Sequence, residues 1–413
     1  MANTLQTLSD GDITRRALAI FHNKLKFIKT TDRQYDKKFP GQGVKNGGSI
    51  LIRDPNQFTV RSGATMDVND VSETSQTMTV ATQRGVDMPS FTTLEKTMSV
   101  QDFESRYLEP AMSRLAAECE SVFMTNSYRD VFNMTGTPAT TPATLLAVRK
   151  AGARLSQNLA PDDGRSLIMD SDAMINTLDA LNTYFHKSSD IERSFSGGKL
   201  GHAAGFDWYE SNMVPNHTNG TRDDTTPVTD TSAGTFVNGA TTLVTTGFDN
   251  ADTVKKGDIF TIGTTTDGVM AINLETKAEY GYLQQFVVTA DKTLDSTDTI
   301  AISPTIYTSG AKQNMSLKGT AGSMALINVT GGGSGASSLI KPQNLAYHRD
   351  AFAIAFADLH MEPGERMTQQ VIEGVPMRIW HGSDIINDKF FTRIDVVFGT
   401  KTLRPEWAVR VRG

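Results

Sequence analysis

Apolar residues spaced three and four apart open the chain: Leu5, Leu8, Ile13, Ala17, Ile20, Phe21, Leu25 and Ile28 predict one or two amphipathic helices. Pro40-Gly41-Gln42-Gly43 ends that pattern, and Asn46-Gly47-Gly48 adds a turn. Over residues 49–95 the period falls to two. Ile50 and Ile52, then Phe58 and Val60, alternate around Asp54-Pro55-Asn56, and residues 77–82 alternate again. This stretch is rich in Thr, Val and Met and holds too few large apolar side chains for a core of its own. It is therefore expected to lie on something else.

The helical period then returns. Ser99, three residues before Asp102, is a weak capping signal, and Phe103, Tyr107, Met112, Leu115, Ala116, Cys119, Val122 and Phe123 carry a long helix to about Tyr128. Pro110 should kink or restart it. Thr141-Pro142 reads as a second helix start, with Leu145, Val148 and Leu155 as its buried stripe. Pro161-Asp162-Asp163-Gly164 is a turn, residues 166–170 form a short buried strand, and Ser171 or Asp172 caps a further helix to about Phe185. Helix, strand and helix in this order predict a compact α+β domain.

Near Asn216 the composition shifts. Thr, Gly, Asp and Val dominate to Lys341, with a turn every ten residues or so. Short strands are expected at 241–246, 258–262, 286–289 and 299–302, a spacing that suits a small β-barrel or sandwich. Gly331-Gly332-Gly333-Ser334-Gly335 reads as a flexible linker. Beyond Pro342 the α+β character resumes, with Ile354 and Phe356 alternating with Ala, then strands at 375–380 and 390–398. The simplest organisation is a β-domain inserted into a discontinuous parent domain.

Composition narrows the function classes. A chain of 413 residues with 38% hydrophobic and 21% charged residues is globular and expected to hold two or three domains. No stretch approaches the roughly 20 apolar residues that cross a bilayer. The first twelve residues lack a signal-peptide pattern, so retention in a cytoplasm, or in something assembled there, is expected. The single Cys119 excludes an intrachain disulfide and any multi-cysteine metal site, and reads as a small apolar filler on a helix. A net charge of −6 argues against gripping nucleic acid by charge neutralisation. Residues 1–48 differ, with nine Lys or Arg against four Asp. That excess suits an arm docking on an acidic partner.

No enzyme is visible. His348-Arg349-Asp350 begins like a kinase catalytic loop, but Ala355 stands where the Asn is required. Gly41-Gln42-Gly43 lacks a third glycine, because Asn46 occupies its place, and Gly198-Lys199 is followed by Leu200 rather than Ser or Thr. The seven His are scattered without ligand spacing. Glu118 and Glu120 point to different sides of a helix. Catalytic, cofactor-binding and metal-ligating residues are all expected to be absent.

The organisation resembles the Hong Kong 97 fold of tailed-phage and herpesvirus shell proteins. Gly198-Lys199-Leu200-Gly201-His202-Ala203-Ala204-Gly205-Phe206-Asp207-Trp208-Tyr209-Glu210-Ser211 looks like the segment that ends the first axial half in many phage coat proteins. Asn344-Leu345-Ala346-Tyr347-His348-Arg349-Asp350-Ala351-Phe352 looks like the strand of re-entry. Lys256-Gly257-Asp258-Ile259-Phe260-Thr261-Ile262, with residues 275–277 and 283–289, resembles the inserted barrel of the P-22-type coat family, and Arg404-Pro405-Glu406-Trp407-Ala408 its final strand.

The resemblance implies an α+β, HK97-like capsid fold with an inserted all-β barrel. Its parts would be an N-terminal arm (1–38), an E-loop with peripheral strands (39–98), a spine helix (99–140), a first axial part (141–216), the insert (217–341), and a second axial part with the C-terminal strand (342–413). It implies a non-enzymatic major capsid protein that self-assembles into hexamers and pentamers around double-stranded DNA, made in host cytoplasm and resident in the virion. Implied partners are further copies, scaffolding protein, portal protein, decoration protein and DNA held without sequence-specific contact, with no membrane. Arg53, Arg61 and Arg84 are the candidate inter-subunit contacts of the E-loop, and Lys24, Lys26 and Lys29 the candidate scaffold-docking residues. The rival readings are an encapsulin-like compartment and a surface adhesin or tail fibre. The insert and the length disfavour the first, and the long helices disfavour the second.

Overall fold

The computed structural model describes residues 25–34, 49–60, 63–66, 73–92, 107–137, 140–142, 144–182, 201–221, 227–230, 236–319, 324–328, 340–362, 364, 366–372 and 375–412. Most of the N-terminal helices expected at 5–28 and the start of the long helix near Ser99 lie outside these residues. The chain divides into two compact units, one comprising Met1–Ile52, Gln76–Phe123 and Phe352–Lys401, the other Arg53–Ser75, Met124–Ala351 and Thr402–Gly413. Helix and sheet are mixed in both.

In the first unit a long strand, Lys389–Thr402, organises an antiparallel sheet with Val375–Asp384, Arg366–Ile372, Phe352–Ala357 and Thr82–Thr92. Val375, Met377 and Ile379 alternate on one strand, and Ile394, Val396 and Phe398 on the next, with Ile379 opposite Ile394. A short helix, α1 (Phe27–Thr30), and the first part of a long helix, α2 (Glu109–Asp130), complete the layer. Met112, Leu115, Ala116, Cys119 and Phe123 form the buried stripe of α2, and Phe123 packs on Phe398 at 4.4 Å. Pro110 falls in the first turn of α2, directly after a π-helical pair at Tyr107 and Leu108, so the helical winding changes at this proline. Cys119 is fully buried, and burial pushes its thiol up to about 12, so it is an inert filler.

Asp395 is wholly buried in this sheet, held at 2.8 Å by Arg378 and at 2.8 Å by Arg393. Gly85 lies opposite it in the register. A Cβ there would come within 2.5 Å of the Asp395 carboxylate and 2.7 Å of the Ile394 carbonyl, so only glycine fits.

The second unit is built on a six-stranded sheet in the order Met134–Thr135, Ala408–Val411, Asn344–His348, Arg165–Met169, Phe206–Glu210, His202–Ala203. Helix α3 (Leu145–Gln157) links the first of these to Arg165–Met169, and α4 (Ser171–Asn182) links Arg165–Met169 to the parallel Phe206–Glu210. Both are parallel crossovers running the same way along the sheet, so the right-handed rule puts both helices on one face. Ala147, Val148, Ala151 and Leu155 of α3 and Ala173 and Met174 of α4 share one buried cluster with Leu167, Met169 and Trp208. Helix α3 begins at Leu145, later than Thr141-Pro142 suggests, because the Thr144 hydroxyl accepts from the Ala147 N–H and caps the helix there. At the C-terminus Trp407 donates to the Asn158 carbonyl at 3.1 Å, under the guanidinium of Arg404.

Between Phe206–Glu210 and Asn344–His348 the chain leaves and returns through a paired stem, Asn216–Thr218 against Ile340–Pro342. The strands between belong to sheets of their own. A six-stranded antiparallel sheet runs in the order Leu326–Asn328, Ile259–Ile262, Gln285–Val288, Thr297–Ile306, Ala240–Thr246, Val228–Thr229. A three-stranded one holds Glu279–Leu283, Gly268–Ile272 and Met315–Lys318. Leu243, Phe260, Ile262, Val269, Phe286, Ile300, Ile302 and Met315 fill a separate core. This arrangement is compatible with an inserted β-domain.

Candidate assembly surfaces

The excursion at 49–79 is a two-stranded ladder, Ser49–Arg53 with Ser75–Thr79. Phe58 and Val60 were expected to continue the alternation but lie beyond its end. Pro55 has no N–H to give a ladder, and the strand stops at Arg53. Leu51, Phe58, Val60 and Met66 stand 61%, 68%, 99% and 78% exposed. Arg53 pairs with Glu73 at 3.5 Å, both side chains open to water. Arg84 sits on the peripheral strand Thr82–Thr92, 3.9 Å from Glu118, and donates to the Gln83 carbonyl. Arg61 lies outside the described residues. The structure thus places Arg53 and Arg84 on different strands.

In the arm, Phe27 and Ile28 are buried while Lys26 and Lys29 are exposed. The Lys26 backbone N–H donates to Glu120 Oε2 at 2.6 Å, so Glu120 turns inward while Glu118 turns out. Lys24 lies outside the described residues.

A third feature has no mark in the sequence. At the paired stem, His217 Nε2 lies 2.8 Å from Asp258 Oδ1, and Tyr128 Oη of α2 lies 3.2 Å from His217 Nδ1. Asp258 also accepts from the N–H groups of Gly220 and Lys255. Arg410, fully buried, donates to the Gly257 carbonyl at 2.7 Å with its guanidinium over the Tyr128 ring. Burial pushes Arg410 down to about 9 and Arg412 to about 10, so both stay charged at neutral pH. Burial also lowers the His217 pKa, and its hydrogen bond to the Asp258 carboxylate opposes this.

Two further contacts hold the strands at 279–288 to the rest of the second unit. The Gln285 side chain bonds both the N–H (2.7 Å) and the carbonyl (3.0 Å) of Met134, beside an apolar group of Phe132, Met134, Ile259 and Val287. Tyr282 donates to the Gln157 side chain at 2.8 Å, and the Arg154 guanidinium carbon lies 3.1 Å from the centre of its ring.

Helices α3 and α4 turn their other faces to water. Leu146 is 60% exposed and Ile175 63%, each beside exposed charges of one sign. Among the described residues no group of three His, Cys, Asp or Glu is placed to hold a metal, and no helix is long and apolar enough to cross a membrane.

No family model matches the chain, and no curated protein matches it. Among solved structures it is similar to one from Mycobacterium phage Che8, at 12% identity over 93% of this chain and 90% of that one, with a TM-score of 0.48. It is also similar to the capsid of cyanophage P-SCSP1u, at 10% identity over 90% and 85% of the two chains, with a TM-score of 0.43. A virus-like particle from Pyrococcus furiosus is similar at 8% identity over 97% of each chain, with a TM-score of 0.37.

Proposed function

We propose that this chain is a major capsid protein, a non-enzymatic subunit that assembles with copies of itself into a closed icosahedral shell around double-stranded DNA. The observation that carries the reading is the excursion at 49–79. It leaves Leu51 of the two-stranded ladder, and Phe58, Val60 and Met66 of the loop between its strands, in water, while Met78 on the second strand is buried. A soluble monomer gains nothing from such a feature, and apolar groups displayed this way call for a partner surface. A neighbouring copy supplies one, and repeated head-to-tail contacts of that kind build rings.

The order of elements supports the same reading: an arm, a β-excursion, a long helix, a central sheet and an inserted β-region follow in the sequence of the shell-protein fold described above. So does the unreactive character of the side chains that invite a catalytic reading. Cys119 is buried and protonated, and Glu118 and Glu120 face apart. The basic arm suits a scaffolding protein with an acidic surface, and portal, decoration protein and packaged DNA complete the partners expected of such a shell. Deleting residues 62–75 tests the role of the excursion: a folded monomer that assembles poorly is expected, and normal shells from the deletion would contradict that role, whereas an intact chain that forms no shell would contradict the capsid reading.

A further inference from the structure

We infer that the outer faces of α3 and α4 are the two halves of one contact, with α3 of one copy seated on α4 of the next. The inference rests on the shell reading and names a surface within it. On α3 the outward stripe is Leu146, Arg149, Lys150 and Ala153, at positions i, i+3, i+4 and i+7, all exposed. On α4 the same spacing gives Asp172, Ile175, Asn176 and Asp179, again all exposed. Each stripe thus pairs one large apolar side chain with two charges. The charges on α3 are all positive and those on α4 all negative.

Three observations support a second copy as the occupant. First, the two faces complement each other in charge and in apolar content, and a pairing of opposite charges around an apolar knob fixes register and excludes like faces. Second, both helices are anchored on their inner sides in one buried cluster, so each outer face is presented rigidly. Third, among the described residues Arg149, Lys150, Asp172 and Asp179 take part in no ion pair within the chain. Since the halves are different patches on one subunit, α3-on-α4 contact is head-to-tail, the kind that closes rings.

Charge reversal with rescue tests the contact in the full chain. Arg149→Glu with Lys150→Glu forms one variant, Asp172→Lys with Asp179→Lys a second, and all four substitutions a third. Assembly is read by sedimentation and electron microscopy, and folding by circular dichroism and thermal melting. Each single-face reversal should cut the assembled fraction by about tenfold or more, because it sets like charges together, and the four-fold swap should restore it. Leu146→Asn with Ile175→Asn removes the apolar knobs without altering charge, and should weaken assembly even where a reversal variant melts abnormally. Assembly unchanged by either reversal, or a four-fold swap as defective as the single faces, would overturn the contact and leave the shell reading standing. If the unsubstituted chain forms no assembly, the shell reading falls and this contact with it.

Discussion

His217 and Asp258 form a buried pair, 2.8 Å from Nε2 to Oδ1, that ties the Asn216–Thr218 strand to the turn just before Ile259–Ile262. The Tyr128 hydroxyl at Nδ1 makes the neutral, Nε2-protonated ring the form that satisfies both neighbours. A second proton would have to enter beside Arg410 and Arg412.

Because burial lowers the His217 pKa in the folded chain, the unfolded chain takes up a proton first as pH falls below about 6.5. Stability should therefore decline on acidification from pH 6.5 toward the depressed native value, and be insensitive to this group above pH 7. His348, lowered by burial as well, adds in the same direction. Calorimetric melting from pH 8 to 5 should show a shallower decline for His217→Gln than for the parent. An unchanged slope would contradict the assignment.

Asp395 is expected to be the costliest single polar residue to remove in the first unit. Its loss strands Arg378, whose side chain is 12% exposed, without its carboxylate. Asp395→Ala should lower unfolding stability by about 3 kcal/mol, as for other broken buried pairs. Gly85→Ala should also destabilise, by forcing the same carboxylate aside. Urea denaturation measures both, and a loss below about 0.5 kcal/mol for Asp395→Ala would fall in the range of ordinary surface changes and contradict this.

Gln285 acts as a one-residue splice between the insert and the Met134–Thr135 strand. Gln285→Leu leaves a backbone N–H and carbonyl of Met134 unpaired and should cost about 2 kcal/mol. Hydrogen exchange at Met134 should accelerate, with little change at Ile300 and Ile302 in the insert core. Uniform acceleration through that core would indicate that Gln285 supports the insert itself rather than its attachment.

Reversing the arm charges, with Lys24, Lys26 and Lys29 each changed to Glu, should abolish scaffold-dependent assembly while leaving melting unaltered. The Lys26 backbone N–H meets Glu120, and Lys26 and Lys29 are both exposed. Unchanged assembly with scaffold would refute the docking role.

Much of this architecture is legible in the residues because it depends on short-range pattern. The buried stripe Met112, Leu115, Ala116, Cys119 and Phe123 follows from helical spacing alone. The strands expected at 241–246 and 258–262 appear as Ala240–Thr246 and Ile259–Ile262, because β-branched runs between turn residues leave few alternatives. What could not be read depends on pairing between distant segments. Arg410 looks like part of a solvated basic C-terminus until Tyr128 and Gly257 are brought against it. Asp395 looks like an exposed strand residue until Gly85 and Arg378 surround it. The two helix faces were visible only as the polar remainder of amphipathic helices, and their meaning depends on α3 and α4 sharing one side of the sheet.

The central claim is that copies of this chain close into a shell, and negative-stain electron microscopy tests it most directly. The protein is expressed alone and then with its scaffold, and the particles are measured. Closed or aberrant shells tens of nanometres across, made more regular by scaffold, are the predicted result. Small discrete particles under both conditions would contradict the account.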